Sequence, residues 1–292
     1  MISVRSVTLL ATGKRARARR TDGNGDADVQ KLVIVVLVVM GLVVAADFGA
    51  AAVAEYQLAK QLKEQFGLAS DPSVRINGFP FLTQALGGRY SAIDIRATGL
   101  SVDPLHDVAV EATLHDVDAP LSEVTSGNLQ SVQAARVDGR VRIKDSDLGR
   151  AIGIEDLRIQ QPSATEIKEL LPAEIPSAGN AAPVNRAPVR LVATTDLAGQ
   201  RTEIIGIGVI ELNGDLGRIT IMDVRLAGDD VGTTGLPREM RQLLLNTLST
   251  DVKPGGLPFT VRPTGVSVET GSLIVEGTAN NVTMRQAGLG VG

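Results

Sequence analysis

Cysteine and tryptophan are absent from this chain of 292 residues, and its only aromatics are two Tyr and five Phe. Without cysteine there is no disulfide scaffold, no Cys-ligated zinc and no thiol nucleophile. So few aromatic rings give no platform for stacking nucleic-acid bases. Hydrophobic residues still make up 43% of the chain, so any core is aliphatic. Basic charge is outnumbered by acidic charge outside the N-terminal part. Residues 1–46 carry seven Lys/Arg against three Asp, which leaves 22 basic and 30 acidic residues in the remainder. An acidic body argues against a DNA or RNA partner and against docking on anionic lipid by charge alone.

Catalytic patterns are missing too. The two histidines, His106 and His115, have no further ligands at zinc spacing and read as surface residues. Asp229-Asp230 sits in the Gly-rich stretch GDDVGTTG, where carboxylates serve turns and caps. Gly206-Ile-Gly208 shares two glycines with a dinucleotide fingerprint, but Glu211 stands at the third position and the glycines lie inside a strand. Asp22-Gly-Asn24-Gly-Asp26 fails as a calcium loop, because Ala27 and Val33 stand where Gly and Glu are needed. The expectation is a protein that is not an enzyme and has no metal or cofactor.

What the chain does have begins with a basic cluster, Lys14 to Arg20, followed by a polar stretch and an uncharged apolar run from Leu32 to Ala46. The run resumes after Asp47 and reaches Ala54. Its length fits a signal sequence or a membrane anchor. Val44-Ala45-Ala46 and Ala50-Ala51-Ala52 both offer small residues suited to signal cleavage. Basic residues stay on the cytoplasmic side, so residues beyond about 55 are expected across the cytoplasmic membrane, on its periplasmic face. The chain then divides into a disordered basic tail (1–31), a signal or anchor helix (32–54), one domain (55–286) and a short tail (287–292).

Residues 55–66 show a helical apolar stripe and continue the preceding helix. From Tyr90 onward, apolar residues alternate with polar ones, as in SAIDIRA, VAVEATL and RVDGRVRIK, with further runs at 189–197, 201–212, 217–227, 258–262, 265–269 and 272–284. Strict alternation is the mark of antiparallel sheets with one wet face. Short helices interrupt them: a capping box at Ser163-Ala-Thr-Glu166, a start near Asp145-Ser-Asp147, and a helix after Thr234 with a stripe through Leu236, Met240, Leu243, Leu244 and Leu248. Residues 172–188 read as a loop or linker. IRATGLSVD (95–103) is echoed by VRPTGVSVE (261–269), which fits a duplicated unit or the common grammar of strands and turns.

The stretch EIIGIGVIEL (203–212) is apolar on both faces, with glycines that leave parts of it bare. Such a sheet needs a second sheet or a ligand to cover it. A lipid chain qualifies, since each buried methylene is worth about 0.8 kcal/mol. From the pattern alone, a self-packed sandwich and a lipid-lined interior stand level.

VRINGFPFLTQALGGRYSAIDIRATGLSV (74–102), the Ala54-Glu55 step, and GSLIVEGTA (271–279) tip this balance. Together they resemble the signature of the LmeA-like phospholipid-binding family, in order, over roughly residues 47–286. The resemblance implies an α+β, mostly antiparallel fold in which a long curved sheet wraps a helix around an apolar tunnel (tubular lipid-binding-like). It implies non-catalytic binding or transfer of a phospholipid, or a lipoglycan precursor, in the cell envelope. The alternative is an envelope scaffold that binds a protein partner of unknown kind. Expected lipid contacts are Phe79, Phe81, Leu82, Leu86, Ile93, Ile95, Ile205, Ile207, Val209, Leu243, Leu244 and Phe259, with Pro80 opening a short helix.

Overall fold

The computed structural model describes residues 24–102, 104–122, 132–154, 156–172, 185–197, 199–213, 216–230, 235–252 and 262–283. The described chain is α+β and its sheets are antiparallel throughout. By packing it falls into two units, Met1–Ala46 and Asp47–Gly292.

Helix α1 runs from Asn24 to Phe66, so it begins within the stretch expected to be tail. Its apolar residues from Val29 to Val43 lie exposed, which water does not favour and a bilayer does. Val29–Phe66 is long and apolar enough to cross a membrane.

In the second unit, one sheet is built from β1 (Ser73–Asn77), β2 (Arg89–Val102), β3 (Leu105–Asp118), β4 (Gln133–Lys144), β10 (Arg262–Glu269) and β11 (Ser272–Thr283). Their order across the sheet is β1-β2-β3-β4-β11-β10. The second sheet runs β5-β6-β7-β8-β9. Its strands are β5 (Arg158–Gln160), β6 (Arg186–Leu197), β7 (Gln200–Asn213), β8 (Leu216–Leu226) and β9 (Thr250–Val252). Helices α2 (Phe81–Gly87), α3 (Asp145–Ile152), α4 (Ala164–Leu170) and α5 (Arg238–Leu248) complete the described elements. The Ser163 capping box forms as read, whereas α5 starts after Pro237 and Thr234 lies outside the described residues.

Alternation explains how the first sheet is covered. Val108, Val110, Ala112 and Leu114 share one face of β3, and Val137, Val141 and Ile143 share one face of β4. At one end this face packs against the second sheet, where Ile143, Val266 and Leu273 join Val189, Leu191, Ile210 and Ile219 in one core with Leu148 of α3 and Leu248 of α5. At the other end it packs on Leu58, Ala59 and Leu62 of α1, together with Phe81 and Ala85 of α2. The opposite face is wet. Arg140 pairs with Glu276 and Arg142 with Glu269, while Lys144 reaches Asp107. Exposed pairs of this kind add at most about 1 kcal/mol each, so they keep the face solvated and leave cohesion to the aliphatic side.

The echo between the two Thr-Gly strands has a structural counterpart. Pairing shifts register between Ala97 and Leu100 in β2 and between Pro263 and Gly265 in β10. At Gly99 the backbone enters the left-handed region at φ +74°, which a residue without Cβ adopts freely.

Strand β7 resolves the question of its two apolar faces. Ile204 and Ile210 point into the core between the sheets, and Ile205, Ile207 and Val209 lie under Ile167, Leu170 and Leu171 at α4. Its glycines are not bare, which corrects the sequence reading. The place of a Cβ on Gly206 is crowded by Leu248 and Ile221, and that on Gly208 by the β8 backbone. Protein covers both faces because α4, the helix that the capping box at Ser163 opens, docks on the outer one.

That docking is held by charge as well as by apolar contact. Arg225 of β8 and Glu166 of α4 are buried and hydrogen-bonded, and Arg190 Nη1 approaches Glu166 Oε1 at 3.6 Å. Arg225 keeps Nε and Nη1 unpartnered, so its desolvation is only partly offset. Removing Arg225 leaves the buried Glu166 carboxylate with only the more distant Arg190 and the Ser163 amide. Arg225→Met alone should cost about 3–5 kcal/mol in urea unfolding, and adding Glu166→Met should recover only part of it, because Glu166 also accepts the Ser163 amide in the capping box and faces Arg190. A single substitution costing under about 1 kcal/mol would show that the pair is solvated in solution.

Candidate functional site

Helix α2 is where the sequence and the packing diverge most usefully. Its seven residues follow Pro80, which serves as N-cap and so precedes the first turn; the Phe79-Pro80 peptide is cis. Proline offers no side-chain oxygen to the free amides of the first turn. Those amides are met from a distance in sequence. Asp47, buried at 3% exposure, accepts Phe81 N–H through Oδ2 and Leu82 N–H through Oδ1, both at 2.8 Å. The helix ends at Gly88 with φ +63°, its N–H bonded to Ala85 O, and the chain turns directly into β2.

The two phenylalanines of GFPF part company here. Phe81 is 5% exposed and tilts against Tyr90, with ring centroids 6.4 Å apart, inside the core that includes Ile93 and Ala85. Burial pushes the Tyr90 hydroxyl above its ordinary pKa. Phe79 is 62% exposed and stacks on Phe48 of α1 at 6.0 Å. Leu82 and Leu86, four apart and so on one face of α2, are exposed, as is Phe79 ahead of the N-cap. Thus α2 carries two apolar edges, one buried through Phe81 and Ala85, the other facing out through Leu82 and Leu86.

Beside Leu86 lies a surface hollow of about 510 Å³, more open than enclosed. Ala85, Leu86, Gly88, Ala119, Pro120 and Leu121 line it, with Asp118 and Gln133 as its polar members. Leu121 is exposed as well. With Phe48, Phe79, Leu82 and Leu86 this makes five exposed large apolar side chains at or near one short helix, where scattered single ones would need no explanation.

The remaining expected contacts are dispersed. Ile93 is buried and Ile95 half-buried in the core under α1, while Ile205, Ile207 and Val209 lie beneath α4. Leu244 faces the core between the sheets and Leu243 is exposed on α5. Phe259 lies outside the described residues. Asp47, Phe48 and Leu121 escaped the sequence reading. The one signal for Asp47 was its position, a single carboxylate interrupting an apolar run, where an unpartnered charge would be costly.

Polar groups elsewhere among the described residues make surface, turn-like and capping contacts. His115 Nε2 lies 3.0 Å from Asp138 at the surface, and Asp229 accepts the Gly235 amide. Asp147 is buried at the start of α3; burial pushes its pKa up most, but the backbone amides of His106 and Asp107 and the Arg150 guanidinium hold it below the ordinary value. Among the described residues no three His, Asp or Glu gather in a way that could hold a metal ion.

Residues 45–278 match the protein-family model described as LmeA-like phospholipid-binding. No curated protein and no solved structure matches the chain.

Proposed function

The chain belongs to the LmeA-like phospholipid-binding family, and from that premise we propose that it binds or transfers a phospholipid, or a lipoglycan precursor built on one, in the cell envelope without catalysing a reaction. The observation that carries this reading is the outward apolar edge of α2 beside the open hollow. Phe79, Leu82 and Leu86 receive the acyl chains, and Leu121 forms the facing wall.

The acyl tail lies along α2 and in the hollow beside Leu86; an apolar tunnel along the aliphatic face of the first sheet, from Ile93 and Ile95 toward the core between the sheets, requires the packing of Leu58, Ala59 and Leu62 of α1 on that face to open. Each methylene leaving water favours the protein by about 0.8 kcal/mol. The bilayer offers a similar gain, so uptake and delivery stay close to balance. In this reading the chain sits at the cytoplasmic membrane with its domain on the periplasmic side, which the uncharged run of α1 and the N-terminal basic cluster support.

Native mass spectrometry of the detergent-extracted full chain tests this. Phospholipid should remain bound to a large share of the protein, at one or two molecules per chain. A chain that stays empty after incubation with mixed phospholipid vesicles would favour the scaffold alternative.

A further inference from the structure

Two small-residue stretches, Val44-Ala45-Ala46 and Ala50-Ala51-Ala52, suit a signal peptidase equally well on sequence. The packing tells them apart. From Asp47 onward α1 is part of the folded domain. Asp47 caps α2 at two amides, Phe48 stacks on Phe79, and Ala50, Ala51 and Ala54 pack on the core beneath α1. One turn further on, Glu55 Oε1 accepts the Ile76 amide of β1 at 2.8 Å.

We propose that every mature form of this protein retains Asp47, so that any signal cleavage falls at the Ala46–Asp47 bond and never at Ala52–Val53. A cut after Ala52 removes the carboxylate that satisfies Phe81 N–H, a buried donor, and the ring that supports Phe79. Burying such a donor without an acceptor is among the costlier defects a fold can carry. A cut after Ala46 falls where the chain's own packing divides, between Met1–Ala46 and Asp47–Gly292. The inference stands on hydrogen bonds and packing and does not require the lipid reading to hold.

The full chain with a C-terminal tag, expressed in a bacterial host, decides the matter through intact mass and N-terminal sequencing of the membrane and soluble fractions. The expected products are the uncut chain, a form starting at Asp47, or both. A folded product starting at Val53 would overturn the proposal. As a second readout, Asp47→Ala in the full chain should speed hydrogen exchange at the Phe81 and Leu82 amides at least tenfold. Asp47→Asn, which keeps one acceptor oxygen, should protect one of the two. Exchange unchanged in Asp47→Ala would also overturn it, since the carboxylate would then not be what holds α2.

Discussion

Replacing Phe79, Leu82 and Leu86 together by serine should leave the thermal unfolding midpoint within a few degrees of the parent and reduce lipid binding about a hundredfold. Leu86 at 83% exposure and Phe79 at 62% are largely in water and Leu82 is partly so at 39%, so folding gains little from the first two and modestly from the third. If lipid covers about half of each, the loss is roughly 1 kcal/mol per residue, since full burial of such a side chain is worth about 1.5–3 kcal/mol. Three such losses make about 3 kcal/mol, or two powers of ten in affinity.

The contrast within the same motif is sharp. Phe81→Ala removes a ring that is 5% exposed, held between the Tyr90 ring and the aliphatic core under α1, and should cost about 3–5 kcal/mol of stability. Lipid occupancy by native mass spectrometry and thermal unfolding by circular dichroism, run on both variants, separate the two roles. Lipid retained by the triple serine variant would remove α2 from the site, and an unfolded triple variant would make its outer edge structural.

Gly208→Ala should be the most damaging single-methyl change in the second sheet, at more than about 3 kcal/mol, beyond the usual 1–3 kcal/mol of core overpacking. A Cβ built on Gly208 would sit 2.1 Å from Thr220 O and 2.8 Å from Ile221 Cα. Both atoms are backbone, so no rotamer change relieves the contact. The crowding arises where β7 and β8 slip register between Ile207 and Gly208, bringing the β8 chain across the glycine. Gly139→Ala in β4 is the control: its new methyl would meet nothing nearer than 3.8 Å, and alanine narrows the unfolded ensemble. That variant should match the parent or gain a few tenths of a kcal/mol. Urea unfolding of the two reads the difference, and a Gly208→Ala protein as stable as the parent would mean that β8 can slide off its register.

Much of this architecture was legible in the residue pattern, and for a definite reason. Period-two alternation located β2, β3, β4, β6, β7, β8, β10 and β11, because a half-wet sheet imposes that period on every strand it contains. The capping box at Ser163 and the helical stripe before Phe66 are equally local signals. The short strands β1, β5 and β9 were missed, since three to five residues hold too few alternations to register as a pattern.

The pattern also paired Phe79 with Phe81 as one apolar block, and only the fold separated them. The turn at Gly78-Phe79-Pro80 and the pitch of α2 send one ring to Phe48 and the other to Tyr90. Likewise, nothing local joins Asp47 to amides 34 and 35 residues away, or Arg225 to Glu166 across 59. Composition and periodicity determined the class of fold, the aliphatic core and the apolar N-terminal helix, because these depend on neighbours in the chain. Which apolar side chains stay in water, and which carboxylate closes which helix, was decided by the packing of distant segments, because burial and hydrogen-bond partnership belong to the assembled structure.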